Sequence, residues 1–322
     1  MSRMVLEIPD GWFHVAFSED LAANAVLRVD AFGEELVVFR GEDGAVRVLD
    51  AYCPHLGANL GHGGRVKGNH IRCPFHGWCF DGDGRCVEIP YAKRIPALAR
   101  VASWPVDEKN GQVYVWHHSE GKPPNFHIPR IEEYGSSEWT STWIRYSWEL
   151  RTHPQEMMEN AIDWPHFEQV HSMDVPTRKE FSFDGPMFRW VIDAGYENVV
   201  GGPSKQLFLV AENWGLGFNK IRYNGAFETI SVGTILPLAP DRVRFTNSVI
   251  GRKGDRDERE ALGELRAQMD EQQHITSQDF TIWENKRYRP KPVLCDGDGP
   301  IHQYRQWASQ FYANRTPATA AG

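Results

Sequence analysis

The sequence lacks any apolar run long enough to cross a membrane. None of its apolar stretches approaches the roughly 18 consecutive residues of a candidate span. The N-terminal segment, MSRMVLEIPDGWFHV, also lacks the apolar centre of a signal peptide. Positive charge is in short supply as well, because a net charge of −8 leaves no basic excess to bind phosphates. We therefore expect neither a membrane span nor a nucleic-acid partner.

Cysteine is scarce. Five cysteines occur in 322 residues, and two of them, Cys53 and Cys73, belong to the metal motif described below. The remaining three are an odd number, so a fold held by disulfides is not indicated. We expect a protein of a reducing compartment, the cytoplasm.

The length of the chain predicts two domains. Short apolar segments between Gly and Asp turns, at residues 11–50 and again at Val113–Trp116, predict strands. The proline-containing segment GKPPNFHIP, residues 121–129, predicts a linker. We therefore place an all-β domain at 1–120, with metal-binding loops at about 50–90, and a second domain at 121–322.

Two short arms in the first domain combine thiols and imidazoles. Cys53 and His55 are followed after seventeen residues by Cys73 and His76, a C-x-H-x17-C-x2-H pattern with proline after each cysteine. A [2Fe–2S] cluster with two Cys on one iron and two His on the other needs this set. A structural zinc site uses the same ligand types and is the alternative, but zinc ligands are usually paired as C-x2-C or H-x3-H. The pattern predicts a Rieske cluster.

A second group of ligand-type residues lies in a predicted helix, Pro154–His171. Asp163, His166 and His171 form the pattern D-x2-H-x4-H. Two imidazoles with one carboxylate from elsewhere in the chain make the ligand set of mononuclear non-haem Fe(II) enzymes. Residues five apart point away from each other on an ideal helix. We therefore expect a break or π-bulge, and Pro165 suggests where it lies. The alternative is that both histidines are ordinary surface or core residues.

The remainder of the second domain predicts a sheet and a long helix. Residues 181–250 contain several segments rich in β-branched and aromatic residues, typical of an antiparallel sheet that could line an apolar cavity. Apolar residues at helical spacing predict a helix over Asp255–Arg287. This helix offers a third iron ligand, Asp279, although position alone does not favour it over Asp270 or Glu284.

Taken together, these residues resemble the oxygenase component of Rieske non-haem iron oxygenases. The segments MENAIDWPHFEQVH and QDFTIWENKRY, with the later DGPIHQYRQWASQFY, resemble the branch of bacterial 3-ketosteroid 9α-hydroxylases and Neverland-type cholesterol 7-desaturases. The resemblance implies an α+β protein in which an all-β Rieske domain precedes a helix-grip (START-like) catalytic domain. The missing N-terminal anchor implies a bacterial enzyme rather than an animal desaturase.

The same resemblance implies residue roles. Cys53, His55, Cys73 and His76 would hold one [2Fe–2S] cluster per subunit, and His166, His171 and Asp279 one mononuclear Fe(II). Asp163 would bridge an iron-ligand histidine to His76 of a neighbouring subunit. That bridge implies a head-to-tail homotrimer.

The implied activity is that of a monooxygenase or dioxygenase. A reductase or ferredoxin would supply electrons drawn indirectly from NAD(P)H, and O2 would be the co-substrate. The substrate would be hydrophobic and steroid-like, with hydroxylation as the reaction. Desaturation, oxidative demethylation and aromatic ring hydroxylation remain alternatives on the same scaffold. An electron carrier would need only the first domain, and a non-catalytic binding protein would not need the histidine pair.

Overall fold

The computed structural model describes residues 6–173, 178–196, 205–224 and 227–313. Two compact units divide the chain. One comprises Trp12–Ile128, and the other combines the segment ending at Gly11 with the chain from Pro129 onward. Within the described ranges, no helix is both long and apolar enough to span a membrane.

The unit Trp12–Ile128 is built from short strands in three sheets. The strands are β1 Gly11–Phe17, β2 Val26–Ala31, β3 Glu34–Arg40, β4 Val46–Asp50, β5 Arg65–Lys67, β6 His70–Arg72, β7 Cys79–Phe80, β8 Cys86–Glu88, β9 Ser103–Trp104, β10 Val106–Lys109 and β11 Gln112–His117. Their orders are β1-β11-β10, β2-β3-β4-β9 and β5-β6-β7-β8. One buried cluster includes Phe39 and Leu49 together with Ile71, Phe80 and both motif cysteines. The two cysteines of the metal-binding loops are therefore part of the hydrophobic core of this unit.

The second unit contains one large sheet and four helices in its described residues. Its elements are β12 Ile144–Leu150, α1 Pro154–Glu159, α2 Trp164–His171, β13 Arg178–Asp184, β14 Met187–Tyr196, β15 Lys205–Trp214, β16 Phe218–Asn224, β17 Thr229–Ala239, β18 Arg242–Gly251, α3 Glu258–Asn285 and α4 Ile301–Ala308. The sheet order is β12-β18-β17-β16-β15-β14-β13, and neighbouring strands are antiparallel. The expected antiparallel sheet is confirmed.

Helix α3 lies along this sheet and begins where its sequence predicts. The Asp257 side chain accepts from the Glu260 N–H at 2.8 Å, and Glu260 accepts from the Asp257 N–H at 3.1 Å, which forms a capping box. Leu265 and Met269, both fully buried, pack with Val249 of β18. Burial of this apolar stripe fixes the helix on the sheet and so positions the residues further along it.

Candidate metal centres

The two arms of the first motif form loops with the same backbone pattern. The Cys53 N–H donates to the Ala58 carbonyl at 2.9 Å, and the Gly57 N–H donates back to the Cys53 carbonyl at 3.0 Å. In the loop from Cys73 to Trp78, the equivalent two bonds measure 2.8 and 3.1 Å. Gly57 and Gly77 have φ values of 76° and 73°, a left-handed conformation that favours glycine. Local sequence therefore determines both loops.

The four candidate ligands of these loops lie side by side. Cys53 and Cys73 are only 2% and 3% exposed. The His55 and His76 rings lie 4.7 Å apart, and His55 also stacks on Trp78 at 4.7 Å. Two matched loops therefore present two sulfurs and two imidazoles to one place.

The electrostatics of these loops fit a bound metal cluster. Burial, together with the nearby Cys73 sulfur, raises the pKa of the Cys53 thiol to about 11. Such a thiolate needs a cation, because metal ligation requires the deprotonated sulfur. The buried Nδ1 of His55 also has no hydrogen-bond partner among the described residues, so this nitrogen is available to bind a metal.

The predicted helix Pro154–His171 is interrupted. Helix α1 ends at Glu159, a 3-10 turn covers Asn160–Ile162, and α2 begins at Trp164. The interruption falls at Asp163, whose φ and ψ are −86° and 81°. Pro165 lies in the first turn of α2, where its missing N–H has no helical partner to lose. The expected irregularity is present and lies immediately before Pro165, but the expectation of a break or π-bulge between His166 and His171 is wrong.

His166 and His171 converge even though α2 is continuous between them. Their ring centroids are 5.2 Å apart. The His166 Nδ1 is hydrogen-bonded to the Asp163 carbonyl, and the His171 Nδ1 lies 2.9 Å from Gln278 Oε1. Since both acceptors are carbonyl oxygens, each Nδ1 carries the proton and each Nε2 is left to bind a metal. Side-chain orientation, and not a break between the histidines, brings them together.

Asp279 completes a group of three. Its Oδ2 lies 3.3 Å from His171 Nε2, and ligand atoms of His166, His171 and Asp279 all lie within 4.8 Å of one another. Asp270 instead accepts from the Tyr146 hydroxyl, and Glu284 accepts from the Arg151 N–H at 3.4 Å. The geometry therefore distinguishes Asp279 from the two carboxylates that sequence position left open.

The pKa values of the two imidazoles shift in opposite directions. Burial lowers the pKa of His166, which favours the neutral imidazole that binds metals. Burial also lowers the pKa of His171, but hydrogen bonds to Asp279 and Gln278 outweigh it, so the net shift is upward. Two imidazoles and one carboxylate form the donor set of a non-haem iron site.

An open cleft reaches this group. Its volume is about 300 Å³, and it is lined by Asn160, Asp163, Pro165, His166, Gln169, Val170, Asp279, Ile282 and Lys286. The Asp163 carboxylate borders the cleft, and burial raises its pKa. Within the described segments it accepts no hydrogen bond, so the backbone carbonyl, and not the carboxylate, orients His166.

Sequence reasoning missed Gln278. A hydrogen bond from His171 connects α2 to this amide 107 positions further along the chain. The available signal was its position beside Asp279, because a group adjacent to a metal ligand often supports another ligand. Gln278 therefore joins the candidate site as the residue that orients His171.

Both parts of the chain match models of known protein families. Residues 11–105 match the family model of the Rieske [2Fe–2S] domain, and residues 115–312 match that of the 3-ketosteroid 9alpha-hydroxylase C-terminal domain. A probable 3-ketosteroid-9-alpha-monooxygenase oxygenase component from Rhodococcus rhodochrous is 35% identical, over 94% of this chain and 80% of that protein. Cholesterol 7-desaturase nvd 1 from Ciona intestinalis is 32% identical, over 96% of this chain and 70% of that protein.

Solved structures agree with the fold. Dicamba monooxygenase bound to dicamba is 18% identical, with a TM-score of 0.75 over 94% of this chain and 96% of that chain. Pseudomonas putida NdmA with caffeine is 17% identical, with a TM-score of 0.72 over 95% of this chain and 97% of that chain. The expected α+β architecture, [2Fe–2S] cluster, mononuclear iron, O2 and reductase-supplied electrons are confirmed. The chain belongs to the Rieske non-haem iron oxygenases, in the family of the 3-ketosteroid 9α-hydroxylase oxygenase components.

Proposed function

We propose that this oxygenase hydroxylates a steroid. The observation that carries the proposal is the match of residues 115–312 to the 3-ketosteroid 9alpha-hydroxylase C-terminal domain, which contains all three residues of the candidate iron site. The sheet face that carries Ile235 and Phe245 supports it, because these register partners are apolar and Phe245 is only partly buried, as the lining of a hydrophobic substrate site would be.

Each part of the site has a proposed role. Cys53, His55, Cys73 and His76 hold the cluster, and His166, His171 and Asp279 hold the iron. When bound, the two groups supply single electrons and O2 activation, which protein side chains cannot provide. The chain's own residues set the geometry: Gln278 and the Asp163 carbonyl hold the two imidazoles in the tautomer that presents Nε2.

Asp163 has a further proposed role between subunits. Its carboxylate borders the cleft and accepts no hydrogen bond from any described residue. We assign it to contact His76 of a neighbouring subunit in a head-to-tail homotrimer, with a separate reductase or ferredoxin as electron donor. A cytoplasmic location remains part of this proposal.

Turnover by the purified protein tests the proposal. With a surrogate reductase, the protein is supplied with 3-ketosteroids, sterols and aromatic acids in turn, and the products are identified by mass spectrometry. We expect a ketosteroid product that contains one added oxygen atom, and about three iron atoms per chain, two from the cluster and one from the second site. Turnover of aromatic acids alone would refute a steroid substrate.

Desaturation is a second candidate, because the chain is 32% identical to a cholesterol 7-desaturase over 96% of its length. The same assay separates the two reactions. A product that has lost two hydrogen atoms and gained no oxygen would show desaturation. Sterols and ketosteroids should therefore be compared at equal concentration.

A further inference from the structure

Helix α3 carries an unpaired amide on the face that packs against the sheet. Leu265 and Met269 are fully buried on this face, and Gln273 follows at the same four-residue interval. Gln273 is 8% exposed, and both its Nε2 and its Oε1 are buried without a hydrogen-bond partner among the described residues. An apolar residue would serve packing better, because an unpaired buried amide is unfavourable.

The sheet presents a second amide. Asn247 of β18 is 5% exposed, and its Oδ1 accepts from the Ser231 hydroxyl at 2.6 Å. Its Nδ2 makes no hydrogen bond with the part of the chain that is described. Gly233 of β17 lies beside Asn247 in the register and has no side chain to cover it. The unused N–H groups of Asn247 are therefore available to a ligand.

Gln273 on α3 and Asn247 on β18 each lie between the same two apolar contacts that join helix and sheet. On α3, Gln273 lies between Met269, which packs with Val249, and Phe280, whose ring is 5.4 Å from Trp148. The Trp148 ring in turn stacks on Phe245 at 5.6 Å. On β18, Asn247 lies between Val249 and Phe245, and the alternation of a strand puts all three on one face. Gln273 and Asn247 therefore face the same space between helix and sheet.

This space lies within reach of the iron site. Asp279 follows Gln273 by six residues on α3, which corresponds to an axial rise of about 9 Å and a difference of about 120° around the helix axis. A long, rigid, apolar molecule could place one end at the iron ligands and a polar group near the amides. Two amide N–H donors that face one space suit an acceptor oxygen, as a ketone provides.

We propose that Gln273 and Asn247 bind a carbonyl oxygen at the end of the substrate remote from the iron, and so select a ketosteroid over its deoxygenated analogue. The inference rests on the proposed steroid substrate and names the group of that substrate that is recognised. It also explains the unpaired amide, because the partner of Gln273 would arrive with the substrate.

Ligand binding to the full-length, metal-loaded protein tests this inference. The probes are a 3-ketosteroid and the same steroid with a methylene group in place of the carbonyl. Wild-type protein should bind the ketone about tenfold more tightly, and Gln273→Leu should bind both about equally. Gln273→Leu should also raise the midpoint of thermal unfolding of the ligand-free protein by roughly 2–4 °C, because the unpaired amide is removed.

Matched variants keep the test specific. Gln268→Leu makes the same change at an exposed position of α3 and should alter neither property. Gln273→Met, which has a similar length, replaces Gln273→Leu if that variant does not fold. Retained ketone preference in these Gln273 variants would overturn the inference, even if thermal stability rose. Equal binding of both probes by wild-type protein would overturn it while leaving a steroid substrate intact, and no binding of any steroid would remove both proposals.

Discussion

The hydrogen bond from His171 to Gln278 should control iron affinity. The His171 side chain is 6% exposed, and its Nδ1 is 2.9 Å from Gln278 Oε1. Gln278→Leu would leave that N–H buried without an acceptor, at a cost of about 1–3 kcal/mol. The imidazole could then rotate or change tautomer, so we expect iron affinity to fall by about 10–100-fold.

Fe(II) titration of protein that contains the cluster but no mononuclear iron measures this effect. The visible absorption of the cluster serves as an internal control, since Gln278 lies in the other unit and the cluster should be unchanged. Gln278→Glu keeps an acceptor oxygen and should retain iron much better than Gln278→Leu. If Gln278→Leu bound iron as tightly as the wild type, the reasoning about His171 orientation would be refuted.

Three further predictions follow from contacts in the structure. Asp163→Asn should retain mononuclear iron, because the backbone carbonyl of residue 163 and not its side chain holds His166. The same variant should slow the reoxidation of the reduced cluster in the presence of substrate and O2. Rapid cluster reoxidation in stopped-flow measurements would argue against the bridge. Gly84→Ala should lower the free energy of unfolding by more than the roughly 1–2 kcal/mol expected for Gly57→Ala, since both glycines have a φ of 76° but only the Cβ at Gly84 would lie 2.1 Å from the Val101 carbonyl oxygen. Denaturant titration of both variants compares them, and equal losses would count against the contact. Lys286→Met should lower the free energy of unfolding by about 1–3 kcal/mol at neutral pH. The Lys286 ammonium lies 3.0 Å from the buried Glu156 carboxylate, which would lose its positive partner.

The destabilisation caused by Lys286→Met should increase with pH. Burial raises the pKa of Glu156, so folding favours its protonated form. The stability that protonated Glu156 contributes is present below the pKa of this group in the unfolded chain. It is lost as pH rises through the higher pKa that Glu156 has in the folded protein. The destabilisation of Lys286→Met should therefore grow with pH over that interval and should be smaller when Glu156→Gln is added. A pH-independent difference between variant and wild type would contradict the account.

Elements set by neighbouring residues were predictable. The two cluster loops are short, and glycine at the fourth position after each cysteine permits the left-handed turn. Helix α3 was expected over Asp255–Arg287 and is observed at Glu258–Asn285, because a local capping box and a helical apolar stripe define it. The break before α2 was harder to place, since Pro165 is compatible with both a break and a first helical turn.

By itself, the sequence determined the chemistry of this protein: two cysteines and four histidines in two motifs, each within 24 residues, indicate two iron centres. Only the tertiary structure decided which distant groups complete the second centre. Asp279 and Gln278 meet His171 because α3 packs on the sheet through Leu265 and Met269, a contact that no local pattern encodes. The same packing puts Gln273 and Asn247 on facing surfaces. Ligand types are properties of residues, whereas the choice among Asp270, Asp279 and Glu284 depends on where the long-range packing places each side chain.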